Sequence, residues 1–142
     1  MKNYTPICVD ASLILRLIMP GDRKESITKL WRSWRTEGRE FIAPALIFYE
    51  LTNALHQYAR HGIISDEEAQ QILHNISKLN ISLIENKYIH HQALKIAQTM
   101  GLKATYDAHY LAVAQHANAE FWTADSRLVK QVSQDWPWVH GI

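Results

Sequence analysis

The sequence predicts a three-layer α/β/α fold with a mostly parallel central sheet, and two observations predict it. Short apolar segments alternate with helical patterns along all 142 residues, with several helices between successive strands. The first such segment runs apolar through Cys8 and Val9 without polar alternation, as strands buried on both faces do. The length fits one domain spanning residues 1–142.

The first half of the chain is predicted to hold two strands and three helices. In chain order these cover residues 6–11 (strand), 12–19 (helix), 22–38 (helix), 41–43 (strand) and 44–60 (helix). Pro20-Gly21 ends the first helix, and Asp22 can cap the second, whose apolar positions follow the 3.6-residue period. Pro44 suits the first turn of the third helix.

The second half is predicted to begin with a helix, since Ser65 and Glu68 have the spacing of a capping box. The elements cover residues 65–78 (helix), 79–84 (strand), 88–100 (helix), 106–117 (helix), 120–123 (strand), 126–132 (helix) and 136–140 (edge strand). Gly101 can end one helix as a C-cap, and Thr105 can cap the next.

Composition excludes several classes of protein. Hydrophobic residues make up 47% and charged residues 20% of the chain, which is unlike a disordered protein. No apolar run approaches the roughly 18 residues of a membrane span, and no signal peptide is recognisable. We therefore expect a soluble, cytoplasmic protein. Cys8 is the single cysteine, which excludes an internal disulfide and an all-cysteine metal site.

Positive charge is concentrated in residues 16–39, although the net charge of the chain is only +1. Seven of the fifteen basic residues lie there with three acids, a local excess of four positive charges. Such a cluster can follow a phosphate backbone, and Arg16, Arg32 and Arg35 are the candidate contacts to RNA or to a protein partner. The alternative is an ordinary solvated helix face, on which Lys and Arg cover apolar surface.

Two acids follow predicted strands. Asp10 comes directly after Ile7–Val9, and Asp125 follows the strand at 120–123, so both lie at the carboxyl ends where open α/β sheets place their sites. Each could instead serve simply as a turn residue or helix N-cap, and for Asp125 a capping role is compatible with function.

Two further acids lie on helices predicted to pack inward. Glu50 falls within an apolar stripe made of Leu46, Ile47, Leu51, Ala54, Leu55 and Tyr58. A buried carboxylate must be paired, protonated or bound to metal, and no basic residue lies nearby on that face. Asp107 shares a face with Tyr110 and Leu111 in the first turn of its helix, where an acid also stabilises the helix dipole.

The four acids are expected to meet at one edge of the sheet. Clustered carboxylates without basic partners repel one another, and a hard divalent cation is the usual remedy. All-oxygen ligands suit Mg²⁺ or Mn²⁺, which activate water and stabilise developing charge when a phosphodiester is cleaved.

Four motifs in order resemble the PIN-domain ribonucleases, and most of all the VapC-type toxins of bacterial toxin–antitoxin pairs. They are VDAS at 9–12, PALIFYEL at 44–51, YDAHYLA at 106–112 and TADSRL at 123–128. The resemblance implies an α/β/α domain that hydrolyses RNA with Mg²⁺ or Mn²⁺ bound by Asp10, Glu50 and Asp107, with Asp125 as a more variable fourth acid. It also implies a homodimer that is silenced by a small cognate antitoxin.

Two hydroxyl residues also match the family pattern. Ser12 stands two residues after the first acid, and Thr123 stands two before the fourth. Both are expected to orient the metal-binding carboxylates.

Two other functions stay open at this stage. A catalytically silent RNA- or protein-binding module would keep the fold and the basic segment but would not need Glu50 within an apolar stripe. A phosphotransferase with an Asp nucleophile would also place an acid at a strand end, but its common D-x-D pattern is broken by Ser12.

Overall fold

The structure is a computed structural model and describes residues 4–142. Within that range it contains five strands, namely β1 (Ile7–Val9), β2 (Phe41–Ala43), β3 (Ser82–Leu83), β4 (Glu120–Thr123) and β5 (Val139–Gly141). Seven helices connect them, namely α1 (Ala11–Ile18), α2 (Lys24–Thr36), α3 (Leu46–Arg60), α4 (Asp66–Ser77), α5 (Lys87–Met100), α6 (Tyr106–His116) and α7 (Ser126–Val132). In residues 4–142 no helix is long and apolar enough to cross a membrane.

All of the strands pair in parallel, in the order β3-β2-β1-β4-β5. The prediction of a three-layer α/β fold with a mostly parallel sheet is therefore confirmed. From β1 the chain builds outward through β2 and β3, then returns to the other side of β1 for β4 and β5. The strand order thus reverses between β1 and β4, and such a switch point opens a crevice at the carboxyl ends of the strands.

Helices cover the sheet from both sides. Helix α6 packs along β1, β2 and β4, and α5 packs against α6. Helix α1 contacts α2, α3 and α4. The core is almost wholly apolar, and Ile7, Leu13 and Phe121 are fully buried. Burial of such side chains contributes about 2 kcal/mol each to the free energy of folding.

The segment between α2 and β2 is anchored by aromatic packing. Trp31 stacks on Phe41 with ring centroids 3.9 Å apart, and Trp34 meets Trp122 of β4 edge-on at 5.2 Å. Both tryptophans of α2 are buried. This packing directs the basic residues of α2, including Arg32 and Arg35, outward to solvent.

Three predicted strands are shorter or displaced in the structure. The strand predicted over 6–11 ends at Val9, because Asp10 already caps α1. The strand predicted over 79–84 shrinks to Ser82–Leu83, after a left-handed turn at Asn80 (φ 56°). The strand predicted over 136–140 is shifted to Val139–Gly141 and follows a turn at residues 136–138.

One predicted helix cap is wrong, and a second is right in position but makes no side-chain bond. Arg23, not Asp22, occupies the N-cap of α2, and it makes no side-chain cap bond. Thr105 does occupy the N-cap of α6, but its hydroxyl makes no cap bond. Its backbone carbonyl instead accepts a hydrogen bond from Nδ1 of His109 at 2.6 Å. The capping box of Ser65 and Glu68 and the left-handed C-cap at Gly101 (φ 67°) are confirmed.

Candidate active site

Asp10 lies at the switch point of the sheet and is held by three donors. Its Oδ1 accepts from the Ser12 hydroxyl at 2.7 Å and from the backbone amide of Leu13 at 3.0 Å. Its Oδ2 accepts from the Thr123 hydroxyl at 2.5 Å. The residue is only 7% exposed. Asp10 is therefore an N-cap of α1 and also a buried carboxylate of fixed orientation, so the two interpretations weighed from sequence coexist.

Ser12 and Thr123 tie the ends of β1 and β4 together. Their hydroxyl oxygens lie 3.2 Å apart. The Ser12 hydroxyl also accepts from the amide of Ala124, and the Thr123 hydroxyl from the amide of Asp125, both at 3.0 Å. The hydroxyls that orient Asp10 are thus themselves fixed by the backbone that leads to Asp125.

Asp125 begins α7 as its N-cap. Its Oδ1 accepts from the amides of Arg127 and Leu128 at 3.0 and 3.2 Å. Its Oδ2 accepts no hydrogen bond within residues 4–142, so that oxygen is available to a ligand. The carboxylate is partly buried.

Glu50 reaches the site from α3 and has a partner that the sequence analysis missed. Its Oε1 accepts from the hydroxyl of Tyr110 at 2.5 Å, and Tyr110 is only 2% exposed. Burial, followed by the nearby Glu50 carboxylate, raises the pKa of Tyr110 far above its usual value, so this hydroxyl stays a donor. Glu50 is half-buried and has no basic partner within the described residues.

One sequence signal pointed toward Tyr110. It stands three residues after Asp107, on the inward face of α6, and a buried tyrosine usually finds a hydrogen-bond partner. The sequence could not identify that partner, because Glu50 is 60 residues away along the chain.

The inward position predicted for Asp107 is met only in part, because the residue is exposed at the start of α6 while its carboxyl is partly buried. Its influence on the other acids is nevertheless clear. Asp107 raises the pKa of both Asp10 and Glu50 through its negative charge. Its own pKa is raised by partial burial of the carboxyl and then by the charge of Asp125. Asp107 therefore lies within electrostatic reach of the other three acids predicted from sequence.

Desolvation is the largest cause of the perturbed acidity in this site. It raises the pKa of Asp10 from 3.8 to about 6, against the opposing effect of the bonds from Thr123, Ser12 and Leu13. It also raises the pKa of Glu50, which the bond from Tyr110 partly offsets. Perturbed acids gathered in a cleft are a mark of functional sites.

The carboxylate oxygens of the site are chemically suited to bind a hard cation, although the side chains are not grouped closely enough to hold one as they stand. Among residues 4–142, no three His, Cys, Asp or Glu side chains are grouped closely enough to hold a metal ion as they stand. All of the candidate donors are carboxylate oxygens, the class that Mg²⁺ and Mn²⁺ prefer. In the described range, one carboxylate oxygen of Glu50 and one of Asp125 have no hydrogen-bond partner. Neither carboxylate oxygen of Asp107 has one within that range. The donor set therefore fits such an ion.

The predicted arginine contacts lie on two elements. Arg16 is exposed on α1, one helical turn after Ser12, and lines the same cavity as Ser12. Arg32 and Arg35 are exposed on α2 and do not line that cavity. The structure thus associates Arg16 with the acidic site, and it leaves the other two on an outer face.

Comparison with known proteins places this arrangement in a family. The model of the PIN domain matches residues 7–133, a range that contains all four acids. The chain belongs to the PIN domain family. This membership confirms the resemblance drawn from the four motifs.

Individual relatives agree with this assignment. The chain is 29% identical over 128 residues to Ribonuclease VapC3 of Pyrobaculum aerophilum, covering 88% of this chain and 93% of that protein. It resembles the crystal structure of PAE2754 from the same organism with a TM-score of 0.69 at 23% identity, covering 96% of this chain and 90% of that one. It also resembles a chain in a toxin–antitoxin complex from Klebsiella pneumoniae, with a TM-score of 0.70 at 17% identity, covering 94% and 95% of the two chains. The two structural matches bear on the fold.

Proposed function

We propose that this chain is a metal-dependent endoribonuclease that hydrolyses RNA phosphodiester bonds and acts as the toxin of a type II toxin–antitoxin pair. The observation that carries the proposal is the charge coupling of Asp107 to Asp10, Glu50 and Asp125, beside the carboxyl ends of β1 and β4. Within residues 4–142 none of these acids is paired with a basic side chain. The relationship to Ribonuclease VapC3 supports the same function.

In this proposal the carboxylates of Asp10, Glu50, Asp107 and Asp125 hold Mg²⁺ or Mn²⁺. When bound, such an ion supplies an activated water and stabilises charge on the phosphate. Ser12 and Thr123 fix the orientation of Asp10 by hydrogen bonds, and Tyr110 does the same for Glu50. Because these carboxylates are already fixed in orientation, ligand binding costs little free energy of reorganisation.

The proposal extends to partners and location. Arg16, Arg32 and Arg35 contact RNA or the antitoxin, and the protein forms a homodimer in the cytoplasm. The exposed basic face of α2 and the VapC relationship support these assignments. Light scattering on the purified chain tests the dimer, because a mass of one chain, 16.4 kDa, would contradict it.

The decisive experiment compares RNA cleavage with Mg²⁺ and with EDTA. We expect cleavage by the wild type with Mg²⁺, none in EDTA, and none by Asp10→Asn. Asp135→Asn is the matched control, since this acid is exposed and does not contribute to the raised pKa of any site acid, and it should cleave normally. Metal-independent cleavage, or full activity of Asp10→Asn, would contradict the proposal. RNA binding without any cleavage would favour the catalytically silent module.

A further inference from the structure

A cavity of about 580 Å³ opens beside the acidic site and shares Ser12 with it. Its volume lies within the range of roughly 300–1,000 Å³ that small-molecule sites occupy. Besides Ser12, its lining includes Leu15, Met19, Tyr58, three basic residues and Asp22. The cavity therefore combines an apolar wall, one aromatic ring, three cations and one acid.

Two helices lead from the acids into this cavity. Ser12 and Arg16 are four residues apart on α1, so they lie on one face about 6 Å apart along the axis. Glu50 and Tyr58 are eight residues apart within the inward stripe of α3, about 12 Å along its axis. The cavity is thus a continuation of the acidic site, extending by about two helical turns.

The three cations of the cavity differ in what they already bind. Arg23 donates to the backbone oxygen of Ile142 at 2.9 Å, and Lys24 donates to the carbonyl of Ile18 at 3.5 Å. Arg16 has no hydrogen-bond or ion-pair partner within residues 4–142. Its guanidinium is therefore the group best placed to form a bidentate interaction with a phosphate.

The apolar and aromatic lining offers a surface for a base or ribose. Tyr58 is half-buried, and the cavity is further lined by Leu15 and Met19. An aromatic ring beside a cation is the arrangement that single-stranded nucleic acids use, in which the base stacks and the phosphate pairs. A protein partner would also fit an apolar wall, but the unpaired Arg16, one helical turn after Ser12, favours a phosphate.

We propose that this cavity binds one nucleotide of single-stranded RNA next to the phosphodiester that is cleaved. Arg16 binds the phosphate of this nucleotide, and its base packs on Tyr58. The proposal rests on the ribonuclease function proposed above and adds to it a subsite for one nucleotide, formed by Arg16 and Tyr58.

The test measures binding of a fluorescein-labelled eight-nucleotide RNA in EDTA by anisotropy at several salt concentrations. Arg16→Gln should weaken binding and make the slope of log K against log salt shallower by about 0.7, the loss of one phosphate contact. Tyr58→Leu should weaken binding about fivefold or more with the slope unchanged, because stacking is lost. Arg60→Gln and Tyr88→Leu are the matched controls, and they should bind as the wild type does.

A second measurement guards against a variant that fails to fold. RNA carrying 4-thiouridine is photocrosslinked to the wild-type protein, and we expect the crosslink on the peptide that contains Tyr58. A crosslink elsewhere, or binding by both Arg16→Gln and Tyr58→Leu within twofold of wild type, overturns the subsite and leaves the cavity to a protein partner. In that case normal RNA cleavage by the wild type would still uphold the ribonuclease function, whereas its absence would remove both.

Discussion

At the scale of single residues, the site depends on three hydroxyl groups as much as on its acids. Ser12 and Thr123 donate to Asp10, and Tyr110 donates to Glu50. Each donor stabilises the charged form of a carboxylate whose burial opposes that charge. The hydroxyls therefore lower the pKa of Asp10 and of Glu50 and offset part of the effect of burial.

Tyr110→Phe should weaken Mn²⁺ binding and leave the fold intact. The change removes the hydroxyl that donates to Glu50 and keeps the buried ring. Loss of a hydrogen bond to a charged group costs about 1.5–3 kcal/mol, so Mn²⁺ affinity should fall roughly tenfold or more. Calorimetric titration with Mn²⁺ measures this effect.

Tyr58→Phe is the matched control for that experiment, since Tyr58 lies outside the set of acids and their donors. It should bind Mn²⁺ as the wild type does. Equal Mn²⁺ affinity of Tyr110→Phe and wild type would show that Tyr110 does not position Glu50.

Asp10 should make the metal-free fold lose stability as pH rises from 4 to 7. Its pKa is about 6 when folded, against an ordinary 3.8, so the unfolded chain releases this proton more readily. Stability is therefore greatest below pH 4 and is lost as pH rises through 6, by roughly 3 kcal/mol for a shift of this size.

Asp10→Asn should lack that part of the pH dependence. Urea unfolding in EDTA at pH 4, 5, 6 and 7 measures it for both proteins. We expect the stability of the variant relative to wild type to improve by roughly 2.4 kcal/mol between pH 4 and pH 7. A difference that stays constant with pH would mean that Asp10 is not the titrating group.

At the scale of secondary structure, the sequence patterns predicted which helices and strands exist better than they predicted the residues at which these elements begin and end. The helices α3 and α4 match their predicted ranges closely, because apolar periodicity and a capping box mark both. The length of β3, which has only two residues, was overestimated, because an alternating pattern does not reveal the left-handed turn at Asn80. Asp22 failed as a cap for a similar reason, because a residue type suggests capping but the backbone path decides it.

The candidate site was predicted in part for the same physical reason. Strand ends and helix faces are local features, and they identified Asp10, Asp125 and Glu50. Which buried groups face one another is decided by packing across the sheet, so the bond between Tyr110 and Glu50 was missed. The exposure of Asp107 was likewise missed, because it depends on which other elements cover the first turn of α6.

Ser65→Ala should destabilise the protein by about 1 kcal/mol through helix α4. The Ser65 hydroxyl accepts from the amide of Glu68, and the Glu68 carboxylate accepts from the amide of Ser65, each at 3.0 Å. Urea unfolding measures the loss. Ser77→Ala on the same helix is the control, because its hydroxyl only bonds back to the carbonyl of Leu73 and its removal should cost little.

The outer face of α2 should contribute to RNA binding through charge alone. Arg32 and Arg35 are exposed there, so replacing both by Ala should make the salt slope of RNA binding shallower by about 1.4, two phosphate contacts. The double variant Lys78→Ala, Lys103→Ala removes the same charge elsewhere on the surface and serves as control. Equal slopes for the two double variants would show that α2 is merely a solvated face.

At the scale of the whole molecule, the sheet order brings distant parts of the chain to one place. The reversal between β1 and β4 sets Asp10 beside Thr123 and Asp125, and α3 and α6 add Glu50 and Asp107. Burial and mutual repulsion raise the pKa values of Asp10, Glu50 and Asp107. The metal-free molecule therefore carries a local instability that a bound cation would relieve.

Glu50→Gln should raise the melting temperature of the metal-free protein at pH 8 and change it little at pH 4. Because burial raises the pKa of Glu50, its ionised form weakens the fold as pH rises above the pKa of the unfolded chain. Glutamine removes that charge and still accepts a hydrogen bond from Tyr110.

Mg²⁺ should stabilise the wild type by about 2.7 kcal/mol at a hundredfold excess over Kd, and Glu50→Gln should lose most of this gain. Glu68→Gln, an exposed acid on α4, is the control for the response to Mg²⁺, which it should retain. Melting curves in EDTA and in Mg²⁺ at both pH values decide the matter. A variant that melts well below wild type in EDTA at pH 8 would show that ionised Glu50 is a satisfied structural group, and the metal site would then have to be built without it.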